Sequence, residues 1–229
     1  MGSWRYSNSV KYRTPAILGF DAEAMYAFSN VAGQFSVNRA FSAGARYAHG
    51  PLQVALAYVE IDQPGTVNLA GAVSDDYAGA PFFLFRTSPI DAAAGVRRQR
   101  NYGIGGRYDI GSGVRVNAVV DAIRYTYADG TRLSLDSYDV SISYSATPAL
   151  IFAAAYVYTS GRYGGIDANP HWNGAQLSID YLLSKRTDVH IFDTFQRKSG
   201  PSSAADVYLL TPSTSRNQNV VVAGIRHRF

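Results

Sequence analysis

The chain ends Ile225-Arg226-His227-Arg228-Phe229, an alternating segment closed by an aromatic residue, and many upstream segments repeat that alternation with tyrosine or phenylalanine near their ends. A period of two puts successive side chains on opposite faces of a strand. The pattern therefore predicts strands with one apolar face. A sheet closed into a barrel is the only sheet structure that can cross a bilayer without leaving backbone groups unpaired in hydrocarbon.

Between Ile17 and Ser29, the residues Leu18, Phe20, Tyr26 and Phe28 share a parity with Ala22 and Ala24, while Asp21 and Glu23 take the other. Helical spacing would scatter those carboxylates. The same test succeeds for Phe41, Ala43, Ala45 and Tyr47 against Ser42, Gly44 and Arg46, and for Leu52, Val54, Leu56 and Tyr58 against Gln53. It succeeds again for Tyr102, Ile104, Gly106, Tyr108 and Ile110 against Asn101, Arg107 and Asp109, and for Tyr138, Val140, Ile142 and Tyr144 against Asp139, Ser141 and Ser143. Weaker segments at Arg5 to Arg13, Val114 to Tyr127, Leu150 to Tyr158, Ala175 to Leu183, Val189 to Phe195 and Val221 to Phe229 bring the total to about eleven strands. Arg124 and Asp193 break parity, and a bulge or a place near a rim is expected for each.

The connections alternate in length. Short turns fall at Thr14-Pro15, His49-Gly50-Pro51, Gly111-Ser112-Gly113, Thr147-Pro148 and Ser184 to Asp188, where Gly, Pro and Asp supply the backbone angles. Longer segments, at about 30 to 37, 62 to 97, 160 to 171 and 198 to 217, occupy the other positions, with Ala128-Asp129-Gly130 as a shorter exception. Short turns on one rim and long loops on the other are the outer-membrane arrangement.

Magnitudes decide which face meets lipid. From Phe20 to Phe28 is eight steps of about 3.3 Å, or roughly 20 Å of height at a tilt of about 40°, close to the roughly 25 Å apolar band of such barrels. The opposite assignment would put Arg13, Arg46, Arg107 and Arg115 into hydrocarbon at up to about 2 to 4 kcal/mol each. The charges are therefore expected inside. A lumen lined by Lys11, Arg13, Arg46, Gln53, Arg107, Asp109, Arg115, Asn117, Asp121, Asp139 and Asp180 leaves too many polar groups unpaired unless water fills it, which predicts a pore.

Composition agrees. Charged residues make up 17% of the 229, against roughly 25% in soluble domains, and there are 17 tyrosines but 2 tryptophans. One texture runs from end to end, so residues 1–229 read as a single domain. The longest apolar stretch, Ala149 to Tyr158, is about half the roughly 20 residues of a membrane helix. Mean hydropathy of −0.10 says little, since barrel strands expose alternate residues to lipid. Cysteine is absent, which excludes disulfides and thiolate metal sites. The net charge of +4 is small and dispersed, without the basic stripe and stacking aromatics of a nucleic-acid binder. The opening Met1-Gly-Ser-Trp is not a signal peptide, so a processed chain or a fragment is expected.

No catalytic centre, metal site or cofactor is expected. His49, His171, His190 and His227 read as a short turn, a long loop, a strand start and the last strand, with neither zinc spacing nor triad geometry. No Gly-x-Ser-x-Gly elbow is present, and Gly105-Gly106 and Gly164-Gly165 lack the strand, loop and helix context of a phosphate cradle. Inward Lys11, Arg13, Arg46, Arg107 and Arg115 would favour anions, unless pairing with Asp109, Asp121, Asp139 and Asp180 cancels their field.

Several motifs together resemble the trimeric general porins of Gram-negative outer membranes. They are Gly224-Ile225-Arg226-His227-Arg228-Phe229, Asn8 to Tyr12 leading into Pro15 and Gly19-Phe20, Tyr47 to Leu52, and Asp180 to Asp188. The resemblance covers essentially the whole chain and implies an all-β, antiparallel transmembrane β-barrel. It matches the last eleven or so of the family's sixteen strands, so the expectation is an N-terminally truncated barrel of about eleven strands, ten to twelve, without the constriction loop. The resemblance also implies a homotrimer among outer-membrane lipids, passing small hydrophilic solutes and ions. It further implies a β-signal of Val221, Ala223, Ile225, His227 and Phe229 read by the outer-membrane assembly machinery. Two rivals remain at this point: a non-conducting porin remnant, and a soluble β-barrel binding protein of lipocalin type, whose apolar parity would face inward.

Overall fold

The computed structural model describes every residue except 1–5, 65–70, 74–84, 201–204, 206, 208, 209 and 212. Arg5, where the first segment was expected to begin, lies outside the described residues. Eleven strands follow one another: β1 (Ser9–Arg13), β2 (Phe20–Ala27), β3 (Arg39–His49), β4 (Leu52–Asp62), β5 (Val96–Gly111), β6 (Val114–Tyr127), β7 (Arg132–Ser145), β8 (Leu150–Gly164), β9 (His171–Leu182), β10 (Thr187–Ser199) and β11 (Asn217–His227). Each pairs antiparallel with its sequence neighbours in one meander.

Turn chemistry sets the register. At the β5–β6 turn Gly111, Ser112 and Gly113 all have positive φ, and a Cβ on Gly113 would stand 2.6 Å from the Ser145 carbonyl oxygen. Glycine is needed there for both reasons. From such turns the ladders carry parity across the sheet. Leu56, Ile104, Val120, Tyr138 and Tyr158 lie side by side on the outer face, and Asp21, Arg46, Ala55, Gly105, Val119 and Asp139 on the inner. Outer-face Leu56 and Ile104 are each 53% exposed, as apolar residues are when no protein covers them. Rings meet along this face, Tyr58 with Tyr102 at 5.1 Å and Tyr138 with Tyr158 at 6.5 Å, contacts of about 0.5 to 1.5 kcal/mol each.

The sheet stays open: among the described residues, β1 and β11 do not pair with each other. An odd number of antiparallel strands leaves both edges running the same way.

Neither parity break is a bulge. The ladders pass Arg124 and Asp193 without a register shift, and the shifts on β5 fall at Val96/Arg98 and Asp109/Gly111. Arg124 ends the apolar belt instead. It pairs with Asp136 at 2.6 Å, at the level where the outer face turns charged with Arg39, Glu60, Asp62, Arg98 and Arg100. Asp193 lies in the middle of β10 between Leu177 and Val221, beside a groove of about 420 Å³ lined by Ile142, Phe152, Ile179 and Ile191. A rim position does not account for it.

The inner face also departs from expectation, being dry near the long connections. Ala27, Ala40 and Ile61 are sealed beneath Ala72 and Val73 of the β4–β5 connection, which Asn38 holds by hydrogen bonds of 2.8 and 3.0 Å to Val73. Farther round, Val96, Tyr125, Tyr127, Leu133 and Leu135 pack with Phe85 of the same connection. The Tyr127 hydroxyl donates to the Phe85 carbonyl at 2.9 Å. Water therefore does not fill the whole inner face, because a connection folds back over part of it.

Candidate functional site: the inner face

The expected inward residues all share the inner face, and most of the charged ones gather near the short turns. Arg13 and Arg46, brought together by the β1–β2 and β2–β3 registers, clasp Asp21 from either side. Arg13 reaches one carboxylate oxygen at 2.9 and 3.1 Å, and Arg46 the other at 2.7 and 2.9 Å. Asp21 is 5% exposed, whereas the two arginine side chains are about half exposed, so the surface offered to water is guanidinium. Next to it, Lys11 pairs with Glu23 at 2.9 Å.

A second clasp straddles the β5–β6 turn, where Arg107 and Arg115 bind opposite oxygens of Asp109. Asn117, one step along the same face, donates to Ser141 at 3.2 Å. A third sits at the β9–β10 turn: Arg226 donates to buried Asp188 at 2.8 Å and lies 3.8 Å from Asp180, while His190 stands 3.2 Å from Asp188. Charge-assisted bonds of this kind lock side-chain geometry.

Asp121 and Asp139 are different. Midway along β6 and β7, neither has an ion pair among the described residues. The expected pairing of the inner arginines with Asp121 and Asp139 is therefore corrected: Arg13 and Arg46 use Asp21, and only Asp109 of the expected acids serves Arg107 and Arg115. Asp180 answers to Arg226. The alternation already put Asp21 and Glu23 on the inner parity, but which cation each meets depends on register. Asp188, His190 and Arg226 were absent from the expected site, although Asp188 and Arg226 are directly opposite in the β10–β11 ladder.

On β11, Val221, Ala223, Ile225 and His227 share the outer face, opposite Asp193, Ile191, Val189 and Thr187. His227 lies 2.9 Å from the Thr187 hydroxyl, and Phe229, just past the strand, meets the His227 ring edge-on at 4.9 Å. His171 opens β9 rather than lying in a loop and stacks on Tyr158. Among the described residues no group of three His, Asp or Glu side chains could hold a metal ion. At the β6–β7 hairpin the Ser88 hydroxyl, then the Thr131 hydroxyl and N–H, hold Asp129 below the ordinary carboxylate range.

Known proteins resemble this chain in sequence and in fold. The chain is 27% identical along its whole length to an outer membrane porin protein of Bordetella pertussis, and spans 59% of that protein. Among solved structures, 96% of the chain matches 59% of an anion-selective porin from Comamonas acidovorans at TM-score 0.70 and 18% identity. In-vitro folded OmpT, an outer membrane protein of Vibrio cholerae, matches 97% of the chain over 67% of its own length at TM-score 0.68 and 14% identity. The structural likeness shows the fold, an outer-membrane type of β-barrel wall with its apolar face outward, which excludes the lipocalin alternative. A family model for Gram-negative porins matches residues 2–200. The chain belongs to the Gram-negative porins, proteins of the outer membrane.

Proposed function

We propose that this chain, as one domain, forms wall of a water-filled channel through which small hydrophilic solutes and ions diffuse down their own gradients, without catalysis or cofactor. The observation that carries the proposal is the division of one sheet into an apolar, exposed outer face and an inner face holding three interlocked charge clusters. Lys11, Arg13, Arg46, Arg107, Asp109, Arg115, Asn117, Asp121, Asp139 and Asp180 line the channel. On β1 to β3 the guanidinium groups of Arg13 and Arg46 cover the Asp21 carboxylate they bind, so a passing solute meets positive charge first there and anions are favoured. The solved relative named as anion-selective is in keeping with that lean. Outer-membrane lipids cover the outer face, Val221 to Phe229 address the assembly machinery, and the chain works as a homotrimer.

Conduction requires partners for the unpaired edges of β1 and β11. Because both edges run in the same direction, an antiparallel seam takes an odd number of added strands. The open edges favour one competing reading, a remnant that inserts without conducting. Planar-bilayer recording in a salt gradient separates the two. Discrete conductance steps with an anion-directed reversal potential support the channel, and a bilayer sealed at every protein concentration supports the remnant.

A further inference from the structure

The inner wall of β8 to β10 holds a recess of about 260 Å³, away from the charge clusters. Gly174 forms its floor, between Val157 and Gln196 in register, with Trp172 on one side and Gln176 on the other. Thr159 and Thr194 complete the polar walls, and Val207 of the β10–β11 connection closes over it, held by its N–H to Gln218 at 2.8 Å. Nothing steric demands glycine at the floor. A Cβ there would stand 3.8 Å from its nearest neighbour, an ordinary contact, and the backbone is in no left-handed conformation. What the missing side chain provides is space.

The lining chemistry selects an occupant. It contains no charged side chain; Lys198, next along the inner face of β10, lies over the Trp172 ring at 5.3 Å. A cation entering would lose hydration and meet no counter-charge, only the Lys198 ammonium at the indole wall. Amides and hydroxyls both donate and accept, and the Gln176 amide makes no hydrogen bond to another described residue. An indole adds an apolar surface for C–H groups. The volume lies below the roughly 300 Å³ at which drug-sized pockets begin. We propose that this recess binds a neutral, hydroxyl-rich molecule of single-ring size, a monosaccharide or comparable polyol. As a station for solute on its way through the pore, it rests on the channel reading above; as a binding site it does not.

Trp4 and Trp172 are the chain's 2 tryptophans, so Trp4→Phe leaves Trp172 as a unique reporter. In detergent-folded protein at mildly acidic pH, D-glucose should change Trp172 emission saturably, and D-glucosamine, which carries an ammonium on the same ring, should bind about tenfold more weakly or worse. Gly174→Val fills the recess without removing a hydrogen bond and should abolish the glucose response. Gln176→Leu, which keeps the floor intact, should weaken it about fivefold, the worth of one hydrogen bond. Emission that does not saturate with glucose, or a folded Gly174→Val protein that titrates like its parent, overturns the proposal. Ion conductance measured on the same protein keeps the two readings apart. Conducting protein with a silent Trp172 sinks the recess alone, while saturable binding under a sealed bilayer sinks the channel and leaves the recess standing.

Discussion

On β1 to β3, near the short turns, the inner face holds a carboxylate roofed by Arg13 and Arg46; on β6 and β7, near the long connections, the same face holds Tyr127 and Leu133, both sealed from solvent. Parity puts the two stretches on one surface, yet one is wet and the other dry. The difference comes from residues outside the strands. Phe85, Ala72 and Val73 of the β4–β5 connection return over the inner wall, whereas among the described residues no connection takes the Arg13 and Arg46 side chains out of water. Alternation tells which way a side chain points; what it meets there is decided by the connections.

The sharpest way to break this contrast is to put a charge into each stretch. Leu133→Asp would bury an unpaired carboxylate at several kcal/mol and should prevent folding, read as loss of the heat-modifiable band on gels; the same residue at inner-face Val119 should leave folding intact. Truncation gives a graded version. Leu133→Ala should cost about 2 to 5 kcal/mol in urea unfolding, whereas Val119→Ala, on the same face but 39% exposed, should stay within about 0.5 kcal/mol.

Selectivity sharpens the wet side. Replacing Arg13 and Arg46 together by Gln should lower the anion-to-cation permeability ratio about twofold, and Asp139→Asn should move it the other way by less, both read from reversal potentials. The smallest effect concerns the hairpin beside the dry cluster. Asp129 is held below its ordinary value of 3.8, so its stabilising contribution is present in full above that pH and fades as pH falls through the lower folded value. Asp129→Asn should lower thermal stability modestly at neutral pH, and the difference should fade below about pH 4, where the two proteins converge.

Much of this was legible in the sequence. Strict alternation at Tyr138 to Tyr144 or at Tyr102 to Ile110 carries both strand and face, and the Gly, Pro and Asp turns mark one rim. Pairing partners were not legible, since Arg13 finds Asp21 only through the β1–β2 register, and two residues of slippage would offer it a different acid. The dry clusters were invisible for a related reason: residues 62 to 97 show no periodicity from which an inward return could be inferred. Asp193 has the opposite lesson, a carboxylate that the ladder places on the apolar face whatever its solvation. Gly174 lies just before the segment read from Ala175 to Leu183, and only its neighbours on β8 and β10 reveal a recess.

The division of the sheet into a lipid face and a water face is tested most directly by cysteine accessibility, since the chain has no cysteine of its own. Adjacent β7 residues Ser141 and Ile142, each changed to Cys in turn, are treated in liposomes with a charged, membrane-impermeant thiosulfonate. Rapid modification is expected at position 141, on the water face, and protection at position 142, on the lipid face. Equal labelling of both, or labelling at 142 alone, would contradict that division.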